Sequence, residues 1–532
     1  MSTVAPYQSD HNPPPDTDGS RSPLARLVRE SMRVMEGRGA FILSLLAVAV
    51  LSVPVFLARF PNDMDYYTIV ANKVLHGGRL YRDVLDTKPP LIFLHYALVF
   101  RMFGAGNITA VKLVTVLVLA ISALAMRGLR RELSPASGRP GLAALIFLLA
   151  SFSGWGEEFL SSNTEILSNV CVLLAAWCMT RNSFHDGRVR LVLAGLLAGI
   201  ACLYRYQAGA VLLAYLAAVA LTPGEGQRLL RRLCSLAAGA MIPLGAVVGY
   251  YAWRGDLVDL RVFLEYQSYY LRSHDVYWPQ VFAQVGVAVV SLGPCLLLAG
   301  AQVIGLLRRR QLNRGEIFQL VFLACSTWPF FLGRHYYPHY LVQAIPALVL
   351  LATERLVNPV RQAGVRLPFF VRRAPAMLAA SVVLSSLLNG VYYAYFFNPQ
   401  PVPALIRFMA QQTDPDDRIF LWTPRIQVLL AINRDFATRF LTNEFLTGRL
   451  FVTPHRQVTA TADSARAAAV PELWPLLMHD LETERPRVII DDVPERSNFT
   501  LDHYAPLLRL VREQYEPGQH IDGFSVYLRK SN

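Results

Sequence analysis

Asp63-Met64-Asp65-Tyr66-Tyr67, followed by Tyr81-Arg82-Asp83 and then Asp86-Thr87-Lys88-Pro89-Pro90, is the stretch on which the reading of this chain turns. It comes just after the first apolar run of membrane length, Phe41 to Phe60. Tyr66, Ile69, Val70 and Val74 recur at helical spacing, which predicts an amphipathic helix over 66–76. Gly77-Gly78 stops it. A second amphipathic helix is expected to open at Lys88-Pro89-Pro90, where proline suits the first turn, and to end at Phe103 before Gly104. Neither is long enough to cross a bilayer, so the carboxylates and the lysine between them gather beside a membrane surface.

Composition sets the rest of the chain in the same setting. Of 532 residues 53% are hydrophobic and 17% charged, which excludes a string of soluble domains. Apolar runs recur near 40–58, 107–127, 141–153, 166–180, 191–204, 207–221, 235–252, 281–305, 316–333, 338–353 and 376–397, about eleven spans. The net charge of +13 does not call for nucleic acid, because most arginines sit in short loops between apolar runs. One set of loops holds Arg130, Arg131, Arg188, Arg190, Arg231, Arg232 and Arg308 to Arg310, and the basic tail 1–39 shares their side. By the positive-inside rule that side is cytoplasmic. The opening stretch, the loops 154–165 and 254–280 and the turn 333–340 then face outward, and so does everything after Phe397. The expected fold is a polytopic α-helical membrane protein with two juxtamembrane helices in its first outer loop. Three regions follow: a disordered tail 1–39, a transmembrane region 40–397 and a small extracytoplasmic α/β domain 398–532. The last is read from strands at 418–422, 488–490 and 524–528 and helices at 472–484 and 501–513. The six cysteines lie in or beside spans without metal-ligand spacing, and read as small core residues.

Several side chains in the outward segments are able to carry chemistry. Asp63 and Asp65 each have two readings, general base for an incoming hydroxyl or helix cap; Asp63, a turn earlier, is harder to explain as a cap. Glu165 closes Asn163-Thr164-Glu165 at the start of a span, preceded by Glu158; dipole compensation and a functional role are both open. With Asp63 it is placed to polarise an acceptor or to hold a divalent metal, although no His/Cys spacing requires one. Lys88, Arg205 and Arg334 are cations on the side where positive-inside statistics disfavour them. Snorkelling anchors are one explanation and grips on an anionic headgroup the other. Tyr340 and its neighbours read as interfacial belt residues or as site residues, and His339 as a junction histidine or a catalytic one. No phosphate-binding loop, GxGxxG or Ser-His-Asp pattern stands out, which argues against nucleotide-driven chemistry.

Asp63, Tyr66-Tyr67, Ala71, Gly77-Gly78, Leu80-Tyr81-Arg82-Asp83 and Lys88-Pro89-Pro90 together resemble the first outer loop of GT-C membrane glycosyltransferases. The nearest are bacterial relatives of the dolichyl-phosphate-mannose protein mannosyltransferases and of the aminoarabinose transferase acting on lipid A, glycosyltransferase families 39 and 83; Asn163-Thr164-Glu165 and Pro338-His339-Tyr340 resemble bacterial members too. The usual Asp-Glu pair reads Asp63-Met64 here, and the acidic residue before the lysine is replaced by Thr87. The resemblance implies transfer of a sugar from a polyprenyl phosphate to a lipid, polysaccharide or protein hydroxyl, outside the cytoplasmic membrane of a bacterium. It implies Asp63, Asp65 and Glu165 as catalytic groups and Lys88, Arg205 and Arg334 as phosphate ligands. Tyr67, Tyr81, Glu158, His339 and Tyr340 would position substrate. A divalent metal is compatible with the family and none is assigned. The competing readings are a flippase for lipid-linked sugars and a non-catalytic glycan binder; the first is disfavoured by the lack of corresponding halves.

Overall fold

The computed structural model describes residues 63–135, 139–154, 161–184, 187–220, 226–272, 278–332, 336–357, 402–448, 469–493 and 497–531, with isolated positions between 46 and 53 and between 377 and 391. The expected tail 1–39, most of the first and last spans, Glu158 and Arg334 lie outside the described residues.

Helix α1 spans Asp63–Leu75, three residues earlier than its apolar spacing implied, and carries Asp63 and Asp65 in its first turn, where the helix dipole favours carboxylates. Gly77, at φ 90°, lets the chain leave the helix in a conformation that a β-carbon would strain. Helix α2, Pro90–Phe103, begins on its proline and ends at Gly104, at φ 104°. The two helices pack together through a buried aromatic cluster in which Tyr67 meets Phe93 and Tyr96 edge to face, with ring centroids 5.9 and 5.5 Å apart.

The bundle behind them comprises α3 (Ile108–Leu133), α4 (Pro140–Phe152), α5 (Thr164–Phe184), α6 (Arg188–Tyr204), α7 (Ala210–Ala220) and α8 (Gly226–Trp253). It continues with α9 (Leu257–Arg272), α10 (Trp278–Leu307), α11 (Arg314–Phe331) and α12 (Ile345–Val357). Among the described residues four helical stretches are long and apolar enough to cross a membrane: Ile108–Leu133, Gln227–Trp253, Val281–Leu307 and Pro338–Val357. Val290 (72% exposed) and Phe282 (69%) on α10 turn outward, a surface suited to lipid rather than water. Helices α6 and α8 are in intimate contact: a β-carbon at Gly195 would fall on the backbone oxygen of Leu236, and one at Gly239 on that of Val192. Small residues at such a seam let two backbones approach where apolar burial gives no advantage over lipid.

One segment expected to face outward departs from its reading. The stretch 254–280, read as a loop, contains the four-turn helix α9. Arginine, aspartate and tyrosine lower its hydropathy, yet Phe263, Tyr266 and Gln267 are buried along it. After the bundle, α13 (Pro403–Gln412) leads into a mixed sheet of order β2-β1-β3-β5-β4. Its strands are β1 Arg418–Trp422, β2 Asp435–Phe436, β3 Val488–Asp492, β4 Gln519–Ile521 and β5 Phe524–Leu528. The two short strands, β2 and β4, were not read from the sequence; β2 is too short to show alternation and β4 is mostly exposed.

Candidate active site

The loop between α1 and α2 is built to hold Lys88. Tyr81 sits at φ 70°, rare for a residue with a side chain, and is fully buried. Its N–H donates to Val84 O at 2.8 Å, its ring stacks on Phe263 at 4.3 Å, and its hydroxyl donates to Lys88 O at 2.8 Å. Asp86 Oδ1 accepts from the Lys88 N–H at 2.8 Å. Tyr81 therefore acts through the Lys88 backbone and does not line the cavity described next.

That cavity, of about 420 Å³, opens between α1, the loop, α9, the Tyr337–Tyr340 turn and the segment before and within a short helix, α14 (Glu444–Thr447). Asp63, Tyr67, Lys88, His339 and Tyr340 all line it, with Asp86 and Glu444 as further carboxylates. Asp65 is not among its lining residues. The Tyr67 hydroxyl lies 3.4 Å from Asp63 Oδ2. Burial pushes the Asp86 carboxyl up to about 6, against the opposing pull of Lys88, while Asp63 adds to the rise. Burial works to lower the pKa of the Lys88 ammonium, but Asp63, Tyr340 and Asp86 outweigh it and raise the value, so the lysine stays charged.

A narrow side pocket shares Lys88, Tyr270 and Tyr340 with the cavity and is also lined by Arg205 and Gln267. Arg205 (3% exposed) is paired through Nη1 with Glu165 Oε1 (2% exposed). Its guanidinium lies over the Tyr340 ring, 4.4 Å from the centroid. Nε and Nη2 of Arg205 are buried without a hydrogen-bond partner, as are both amide atoms of Gln267. Polar groups left that way are costly unless something polar occupies the pocket. Glu165 also takes a hydrogen bond from Thr164 Oγ1 at 3.0 Å and lies 3.8 Å from His339 Nε2. It thus faces Arg205 and His339 and is not among the residues lining the main cavity. No group of three or more His, Cys, Asp or Glu side chains poised to hold a metal ion occurs among the described residues.

Asp86, Gln267, Tyr266, Tyr270 and Glu444 were not singled out as site residues from sequence. Only Asp86 carried a signal, its place two residues before Lys88. Its raised pKa has a measurable consequence. Between the ordinary 3.8 and about 6 the folded chain holds a proton that the unfolded chain has lost, so stability falls as pH rises through that window. Asp86→Asn keeps an acceptor for the Lys88 N–H and removes the buried charge. Its melting temperature is expected to exceed that of the wild type at about pH 7.5, with the gap closing toward about pH 4; a constant gap would assign the change to packing.

The family model of dolichyl-phosphate-mannose-protein mannosyltransferase matches residues 87–253, and no curated protein sequence matches the chain. Among solved structures, ArnT from Cupriavidus metallidurans bound to undecaprenyl phosphate is similar over 93% of this chain and 98% of its own, at 16% identity and a TM-score of 0.56. The oligosaccharyltransferase AglB from Archaeoglobus fulgidus, in complex with an inhibitory peptide and a dolichol-phosphate, is similar over 92% of this chain and 74% of its own, at 13% identity and a TM-score of 0.51. The arabinofuranosyltransferase AftD from Mycobacteria is similar over 92% of this chain and 40% of its own, at 14% identity and a TM-score of 0.50. The chain is a membrane protein with the GT-C fold of polyprenyl-phosphate-dependent glycosyltransferases. Within that class the sequence match is to the protein mannosyltransferases, over the part of the chain that begins beside Lys88 and ends with α8.

Proposed function

We propose that this protein is a glycosyltransferase that moves a sugar from a polyprenyl phosphate to an acceptor hydroxyl at the outer face of a bacterial cytoplasmic membrane. In this reading the chain crosses the membrane about eleven times, the tail 1–39 is cytoplasmic, and residues 398–532 fold outside. The single observation that carries it is the cavity lined by both Asp63 and Lys88, which shares Lys88 with a side pocket lined by Arg205. Asp63 takes the proton of the acceptor hydroxyl as its oxygen attacks the anomeric carbon. The bond from that carbon to the phosphate oxygen breaks, and the carrier leaves as polyprenyl phosphate with one more negative charge. Lys88 and the unpartnered N–H groups of Arg205 stabilise that charge. A single displacement inverts the anomeric centre. His339 and Tyr340 line the cavity, Tyr340 with its ring against Arg205, and orient the departing phosphate; Arg334 remains a proposed third phosphate ligand.

The test is to incubate the purified chain with radiolabelled undecaprenyl-phosphate sugars and crude envelope acceptors. Free undecaprenyl phosphate is expected to appear in step with label on an acceptor. A carrier that crosses a vesicle membrane with its sugar still attached would instead establish the flippase reading.

A further inference from the structure

The cavity has a second wall that comes from far along the chain. Pro424, Leu441, Thr442, Glu444 and Phe445 line it together with residues of α1 and the loop that follows. This wall is fastened to the loop that carries Lys88. The Leu85 N–H donates to Arg439 O at 2.7 Å, Leu85 and Phe440 form an isolated bridge, and Lys73 pairs with Asp435 at 2.6 Å. The Phe445 ring lies 4.0 Å from that of Tyr266 on α9, and Thr442 Oγ1 donates to Glu444 Oε2 at 3.3 Å. The wall is a built part of the cavity.

The polar chemistry of the cavity is lopsided. Asp63, Asp86 and Glu444 are carboxylates, and among the described residues that line the cavity Lys88 is the one lysine or arginine. Asn163 Oδ1 and Ser161 Oγ also belong to lining residues, buried to 5% and 4% exposure, and neither atom has a hydrogen-bond partner. Ser162 between them is pinned by Thr115 Oγ1 at 2.6 Å and by the Tyr96 hydroxyl on its carbonyl at 3.1 Å. The two orphaned atoms therefore sit on a fixed turn.

Resting on the transferase reading of the same cavity, we propose that Glu444, Asn163 and Ser161 form an acceptor subsite for an uncharged, hydroxyl-rich sugar unit. An acceptor bearing phosphate or carboxylate next to its nucleophile would meet the like charge of Asp63, Asp86 and Glu444. A serine or threonine side chain offers one hydroxyl donor to a site whose acceptors need several. The volume, at the lower end of the ~300–1,000 Å³ usual for ligand pockets, must also hold the donor sugar, which leaves room for one ring rather than a stretch of polymer.

The experiment supplies full-length protein in detergent with undecaprenyl-phosphate-linked mannose, glucose and arabinose in turn. Each is paired with methyl glucoside, methyl glucuronide or a serine- and threonine-containing peptide. Methyl glucoside is expected to be labelled and methyl glucuronide to be at least about tenfold poorer in kcat/KM. Glu444→Gln is expected to raise the KM for methyl glucoside about tenfold, to leave the KM for the donor unchanged and to narrow the discrimination against the glucuronide. A subsite that only packs would move both KM values or neither. Preferred labelling of the glucuronide or of the peptide, or an unaltered acceptor KM in Glu444→Gln, overturns the acceptor subsite and leaves the transferase reading intact. Failure of every pairing to release undecaprenyl phosphate removes both.

Discussion

Asp63→Asn is expected to lower kcat by about 10²–10⁴-fold while leaving the affinity for undecaprenyl phosphate close to that of the wild type. Asparagine keeps the size of the side chain and an oxygen for the Tyr67 hydroxyl, which lies 3.4 Å from Asp63 Oδ2. It removes only the capacity to take a proton. Asp63 also stands, half-buried, in the first turn of α1, where a carboxylate stabilises the helix by about 0.3–2 kcal/mol. That loss is too small to unfold the chain, so a collapse in turnover would belong to the chemistry. Asp65→Asn is the matched control, because Asp65 shares the same helical turn without lining the cavity. Near-normal turnover in Asp63→Asn together with loss in Asp65→Asn would move the base by two residues; near-normal turnover in both would end the proposal that α1 supplies it.

The parts of this site that sequence made legible are those where one short stretch does the whole job. The first loop is such a stretch: Gly77 and Gly104 end their helices because backbone geometry demands it, and Pro90 starts one. Asp63 and Lys88 come with that local code. Helix periodicity says which elements exist and which face is apolar, but not whose ends converge. Glu444 reaches the cavity from a four-residue helix in the sheet-bearing region, with no periodic signal and no composition that separates it from other acidic residues. Tyr266, Gln267 and Tyr270 were hidden for a related reason. Their helix, α9, has too little apolar character to resemble a span and was read as loop, although its buried face walls both pockets. The pairing of Glu165 with Arg205 was invisible because each, alone, had an adequate local explanation at a helix end. Their shared burial, which only the packing of α5 against α6 creates, turns two edge charges into one unit.

That unit yields the second large expected effect. Glu165→Ala leaves the guanidinium of Arg205 buried without the carboxylate it is paired with, and such a break typically destabilises by about 3–5 kcal/mol. Thermal unfolding of the purified variant is expected to shift down accordingly, and any loss of transfer would then be ambiguous. The double variant Glu165→Leu with Arg205→Leu resolves it. Replacing both charges by apolar side chains removes the desolvation cost along with the attraction, which is commonly neutral or stabilising. Stability is therefore expected to return while transfer stays low, because the phosphate loses the two unpartnered N–H donors of Arg205 and keeps only the weaker grip of Lys88 and Gln267 in the side pocket. Recovery of transfer together with stability would make the pair a strut between α5 and α6, leaving Lys88 to hold the phosphate. Failure of the double variant to regain stability would mean that the hydrogen bond from Thr164 and the Tyr340 ring over the guanidinium contribute more than the ion pair itself. The discriminating feature is that stability and transfer are predicted to separate, and a purely structural role for Arg205 cannot separate them.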